Sequence, residues 1–159
     1  MRGYAKTPAE LVFDPDGWFR TQDAGSLDSE GFLHWTGRLS NLIKTGGANV
    51  SPIEIEAALW RHPDLAVAVA VGVGHPTLGE VVVLCAVPVP GRSLDEAEIR
   101  RFLRERLAAY KVPRRVLAFR PEELAYTGNQ KVQVEPLRRL ATARLAAEGA
   151  EIEGHRYRS

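Results

Sequence analysis

LAVAVAVGVGHPTLGEVVVLCAVPV, residues 65–89, carries two Val-rich runs around a short polar break. Leu65–Val73 and Glu80–Val89 are too apolar for strands that face water, so both are expected at the centre of a sheet. Only GHPTLG separates them. A parallel crossover needs a dozen or more residues, so the two runs should form an antiparallel pair.

Working outward toward the N-terminus, SPIEIEAALW predicts a helix. Ser51 is placed to cap it, Pro52 to open it, and Glu54 to complete a capping box. Ile53, Ala57 and Trp60 then share one face. Pro63 in RHPD disfavours helical backbone at His62 and ends the helix. Toward the C-terminus a second helix starts at Ser93, with a capping box to Glu96 and Ile99, Phe102, Leu103 and Leu107 on one side. RRVLAF (Arg114–Phe119) reads as a short strand and RPEELAYTGNQK as a loop. Pro136 opens a third helix with Leu137, Leu140, Ala141 and Leu145 on one side. The polar residues after Glu148 read as a frayed tail. From about Ser40 the order is strand, helix, strand, strand, helix, strand, helix. That order predicts an α+β domain, a small mixed sheet with helices packed on it. GWFRT and GFLHWT, with SLDSEG as a turn, predict a hairpin ahead of this domain. The expected divisions are 1–38 for the hairpin and linker, 39–148 for the domain and 149–159 for a flexible tail.

Composition narrows the class of partner. Lys and Arg number 21 and Asp and Glu 20 among 159 residues, a net charge of +1 that gives no reason to expect nucleic acid. No apolar run reaches the roughly 18 residues of a membrane span, and the first residues lack the apolar segment of a secretory signal. One cysteine, Cys85, rules out an internal disulfide and fits a cytoplasmic protein. Its apolar neighbours predict a buried, inert thiol.

Several motif-like stretches fail on inspection. GVGHPTLG spaces its glycines as G-x-G-x-x-x-x-G and leads into a strand, whereas a dinucleotide loop opens a helix. IKT has Ile43 and Arg38 where a P-loop needs glycine. The histidines at 34, 62, 75 and 155 are scattered without metal-ligand spacing, so no bound metal is expected within the chain. No G-x-S-x-G is present.

Three ordered stretches add a resemblance. GWFRTQDAGSLDSEGFLHWTGRLSNLIKTGGANVSPIEIEAAL resembles the join between the large and small domains of adenylate-forming enzymes, the superfamily of AMP-dependent acyl-CoA synthetases. LAAYKVP (Leu107–Pro113) and YTGNQKVQVEPLRRL (Tyr126–Leu140) resemble later motifs of the same small domain. The resemblance spans Gly17 to about Leu145. It implies a two-step reaction: a carboxylate attacks ATP to give acyl-adenylate, and a thiol, often of coenzyme A, displaces AMP. It also implies a small domain that swings as a lid between the two steps.

On this resemblance Lys131 is the catalytic lysine of adenylation. Its ammonium would offset the repulsion between carboxylate and α-phosphate. Asp23 and Arg38 match the residues that contact the nucleotide ribose. Ser40 matches the hinge, where the family usually has Asp or Lys. Lys44, Gly46 and Gly47 match a mobile loop that lines the thiol tunnel. Lys44 is either near the coenzyme A phosphates or a solvated loop lysine. Gln22 and Gln130 stand where the family usually has glycine.

The family's phosphate loop, acyl pocket and magnesium-holding Glu belong to a large domain outside these residues, so the chain is expected to be inactive alone. ATP, Mg2+ and coenzyme A are the implied cofactors, and the large domain the implied partner. The alternatives are a domain serving a carrier-protein thiol and a non-catalytic module that self-associates. The basic run KVPRR (Lys111–Arg115) would serve either thiol carrier or form a solvated turn.

Overall fold

The computed structural model describes residues 8–19 and 21–158. The chain divides into two contact units, one ending at Asn41 and one beginning at Leu42.

In the first unit β1 (Asp23–Leu27) pairs antiparallel with β2 (Leu33–Arg38), with a bulge between Ala24 and Gly25. The Asp28 carboxylate closes the turn by accepting the Glu30 and Phe32 amides at 3.0 and 2.9 Å. The hairpin is real, but its first strand lies downstream of the expected GWFRT, whose described residues include Phe19, bridged to Phe13.

The second unit is an α+β domain. Its elements are β3 (Ile43–Thr45), β4 (Ala48–Val50), α1 (Pro52–Leu59), β5 (Leu65–His75), β6 (Gly79–Pro88), α2 (Glu96–Arg104), β7 (Arg115–Ala118), α3 (Val134–Ala147), β8 (Glu151–Ile152) and β9 (His155–Arg156). β5 and β6 form the expected antiparallel pair, from Leu65 opposite Pro88 to His75 opposite Gly79. β7 joins the other side of β6 in parallel, so the sheet is mixed. The order runs β4-β3-β6-β5.

Alternation along β6 explains why it sits at the centre. Val81, Val83, Cys85 and Val87 point into one apolar cluster, shared with Leu137, Ala141 and Leu145 of α3. Val82, Leu84 and Ala86 point into another, shared with Ile55 and Leu59 of α1 and Ile99 and Leu103 of α2. The sheet is therefore covered on both faces. Fully burying one such Leu or Ile contributes about 1.5–3 kcal/mol. Burial pushes the Cys85 thiol up to about 12, so it is inert as expected.

Three local expectations are corrected. The buried face of α1 is Ile55 and Leu59, while Trp60 is 85% exposed. Ser51 is the N-cap without a side-chain cap bond, and Glu54 instead takes the Lys111 ammonium at 2.6 and 2.7 Å. Asp95, not Ser93, caps α2, accepting the Ala97 and Glu98 amides at 2.8 and 3.1 Å. Such a cap is worth about 1 kcal/mol.

The C-terminal segment also differs from the expected frayed tail. β8 and β9 make a hairpin that buries Ile152 and Tyr157 in the α3-side cluster. Its carbonyl at Ile152 accepts from the buried His75 imidazole at 3.0 Å, and Tyr157 Oη donates to Gly74 O at 3.0 Å. At the outer strand β5, Glu56 Oε1 accepts the Ala70 amide at 3.1 Å. Among the described residues no helix is long and apolar enough to cross a membrane.

Candidate functional site

The residues matched to the ribose contacts meet in the first unit. The β1–β2 register sets Asp23 opposite Arg38. Arg38 Nε lies 2.7 Å from Asp23 Oδ1, and Arg38 Nη1 donates to Thr21 O at 3.0 Å. The guanidinium is thus held from two sides, by a carboxylate and a backbone carbonyl. Gln22, just before Asp23, has φ +63°, the left-handed region where the family's usual glycine is at ease. Its carbonyl accepts the Leu39 amide at 2.8 Å. Ser40 lies in the short 3-10 turn Leu39–Asn41, where the first contact unit ends.

The glycine stretch belongs to the second unit and is a tight hairpin. Thr45 pairs with Ala48, leaving Gly46 and Gly47 as a two-residue turn. Their φ values, +54° and +82°, carry the signs of a type I′ turn, which a side chain would strain. The turn is pinned from outside: the Gly46 amide donates to Leu78 O at 2.9 Å and the Lys44 amide to Glu80 Oε2 at 2.9 Å. The Lys44 side chain is exposed.

Lys131 sits on a second tight turn. Tyr126 and Val132 form an antiparallel bridge. Between them the Thr127 amide donates to Lys131 O at 2.8 Å, and the Lys131 amide to Thr127 Oγ1 at 3.2 Å. Gln130, the other glutamine at a family glycine position, again takes positive φ, +60°. Gln133 ties the base of the turn, its amide donating to Ala125 O at 2.8 Å and its Nε2 to Tyr126 O at 3.0 Å. Lys131 is exposed, and among the described residues its ammonium has no ion-pair partner.

The basic run resolves differently. Lys111 pairs with Glu54 at 2.6 Å, Arg114 with Glu153 at 2.9 Å and Arg115 with Glu148 at 2.8 Å. The Glu54 hydrogen bond raises the Lys111 pKa. These cations are tied to carboxylates of the fold and form no free positive patch. Sequence reasoning missed Glu80, whose only signal is its place just after the hairpin glycine Gly79. Among the described residues no group of three or more His, Cys, Asp or Glu could hold a metal ion.

Residues 54–131 match the family model described as AMP-binding enzyme C-terminal domain. The chain is 46% identical over 140 residues to the 2-succinylbenzoate–CoA ligase of Geobacillus kaustophilus, covering 87% of this chain and 28% of that protein. It is 40% identical over 133 residues to the oxalate–CoA ligase of Arabidopsis thaliana, covering 83% of this chain and 26% of the relative. The crystal structure of ATP-bound MatB from Rhodopseudomonas palustris superposes with a TM-score of 0.73 at 34% identity, over 82% of this chain and 26% of that one. The chain therefore spans about a quarter of the length of the relatives it matches.

Proposed function

This chain belongs to the AMP-binding enzyme C-terminal domain family of the CoA ligases, and on that premise we propose that it is the lid domain of an ATP-dependent acid–thiol ligase. The observation that carries the reading is Lys131: a cation at the tip of a braced turn, exposed, its ammonium unpaired among the described residues. Lys111, by contrast, is tied to Glu54. An exposed ammonium on a short hydrogen-bonded turn suits delivery of positive charge to a site on another body.

In the adenylation step Lys131 stands between the attacking carboxylate and the α-phosphate. It offsets their repulsion and stabilises charge building on phosphorus. Asp23 and Arg38 hold the ribose. After adenylation the domain turns about Ser40 and brings the Lys44–Gly47 hairpin to the thiol entry. Coenzyme A is the acceptor this reading favours, because the aligned relatives are named CoA ligases. The acid is selected by the large domain, and the relatives' differing acids give no ground for choosing one. Magnesium, where used, is held by that domain. A reducing compartment such as the cytoplasm fits the lone buried Cys85.

The large body of the Geobacillus kaustophilus ligase, joined to this chain in place of its own C-terminal part, tests the reading. The chimera should catalyse both half-reactions. Lys131→Ala should slow pyrophosphate exchange by roughly 100- to 1,000-fold, while thioester formation from supplied acyl-adenylate continues. A chimera inactive in both steps, or a K131A variant with normal exchange, overturns it. The chain alone should release no pyrophosphate from ATP with any acid.

A further inference from the structure

Three contacts hold the tip of the glycine hairpin to one short segment, residues 78–80. Thr45 bridges Gly79, the Gly46 amide bonds Leu78 O at 2.9 Å, and the Lys44 amide bonds Glu80 Oε2 at 2.9 Å. Of these three, the last is made by a side chain. The other Glu80 oxygen faces α3, with Oε1 3.6 Å from Arg138 Nη1. Arg138 follows Lys131 by seven residues and begins the second turn of the helix that the lysine turn feeds. Arg138 also lies 3.7 Å from Glu135.

The fold reserves room for this carboxylate. A methyl group at Gly72 would lie 2.7 to 2.9 Å from the Glu80 carboxylate atoms. Gly72 has no positive φ, so a side chain there would be opposed by this close approach and would push the carboxylate aside. The Glu80 side chain is largely sheltered, 22% exposed, so its bond to the Lys44 amide is only partly screened.

We propose that Glu80 is a positioning residue that clasps the Lys44–Gly47 hairpin to β6 and, through Arg138, to the helix behind Lys131. The strong half of the clasp is the hydrogen bond to Lys44; the 3.6 Å pair with Arg138 is the weaker half. Glu80 thus acts mainly on the hairpin assigned to thioester formation. That assignment rests on the lid reading above, whereas the clasp itself does not.

Amide hydrogen exchange on this chain tests the clasp directly. Glu80→Ala should speed exchange at Lys44 by roughly 10- to 100-fold, the loss of one charge-assisted hydrogen bond, with Leu84 in β6 unchanged. Gly72→Ala, which displaces the carboxylate without removing it, should act in the same direction. Glu80→Gln retains an acceptor oxygen and should restore most of the protection. In the chimera, E80A should slow thioester formation more than pyrophosphate exchange, and E80Q should recover it. Unchanged exchange at Lys44 in both E80A and G72A overturns the clasp. Equal losses in both half-reactions, unrescued by E80Q, reduce Glu80 to a stabilising residue and overturn the positioning role. A chimera silent with the native sequence refutes the lid reading instead, while the exchange result still decides the clasp.

Discussion

Gln22 and Gln130 stand at family glycine positions and both adopt left-handed backbone, φ +63° and +60°. The resemblance marks both positions as departures; that the chain keeps the glycine conformation is visible only in the structure, because glutamine has no preference for it. Left-handed backbone costs an L-residue about 1–2 kcal/mol, partly offset by the entropy glycine loses on folding. Gln130→Gly should therefore be neutral or stabilising by up to about 1 kcal/mol in denaturant unfolding. Gln130→Val should be destabilising by about 1–3 kcal/mol; a stabilised valine variant would contradict the assigned conformation. Lys131 and the double glycine are legible in the sequence through their motifs. The Asp23–Arg38 ion pair is not, because it depends on a register that passes through a bulge.

At the scale of elements, α1 is where periodicity misleads. Ile53, Ile55, Ala57, Ala58, Leu59 and Trp60 put apolar groups on almost every side, so spacing alone cannot choose the buried face. The choice of Ile55 and Leu59 follows from the sheet beneath. It leaves Glu56 beside β5, where burial raises its pKa despite the Ala70 amide. The folded state then holds this proton more tightly than the unfolded chain. Stability contributed here is greatest at low pH and falls as pH rises through the carboxylate range. Glu56→Gln keeps an acceptor for Ala70 without the charge. Its melting temperature should exceed that of the native chain at pH 7, and the difference should vanish below about pH 4. A gain that persists in acid would assign the effect to packing. The second and third helices were easier: Ile99 and Leu103, and Leu137, Ala141 and Leu145, are buried as their spacing predicts, although Leu140 is 43% exposed.

For the whole molecule, the Val-rich pair at 65–89 reveals the sheet because both faces of β6 are apolar. The closing hairpin was hidden: in EIEGHRY only Ile152 and Tyr157 are apolar anchors, and charged neighbours make the run look solvated. Removing residues 149–159 strips Ala150, Ile152 and Tyr157 from the α3-side cluster and leaves the His75 imidazole without its carbonyl. Urea unfolding of that truncation should show a loss of at least about 3 kcal/mol. A loss under about 1 kcal/mol would mean the hairpin merely rests on the domain.

The same hairpin changes how the outer margin of the sheet meets other molecules. Tyr157 occupies the Gly74 carbonyl and Glu56 the Ala70 amide. An intruding strand seeking a continuous ladder along β5 must evict a phenol and a carboxylate before it can zip. Copies of the chain meeting in a crowded solution are thus discouraged from joining along β5.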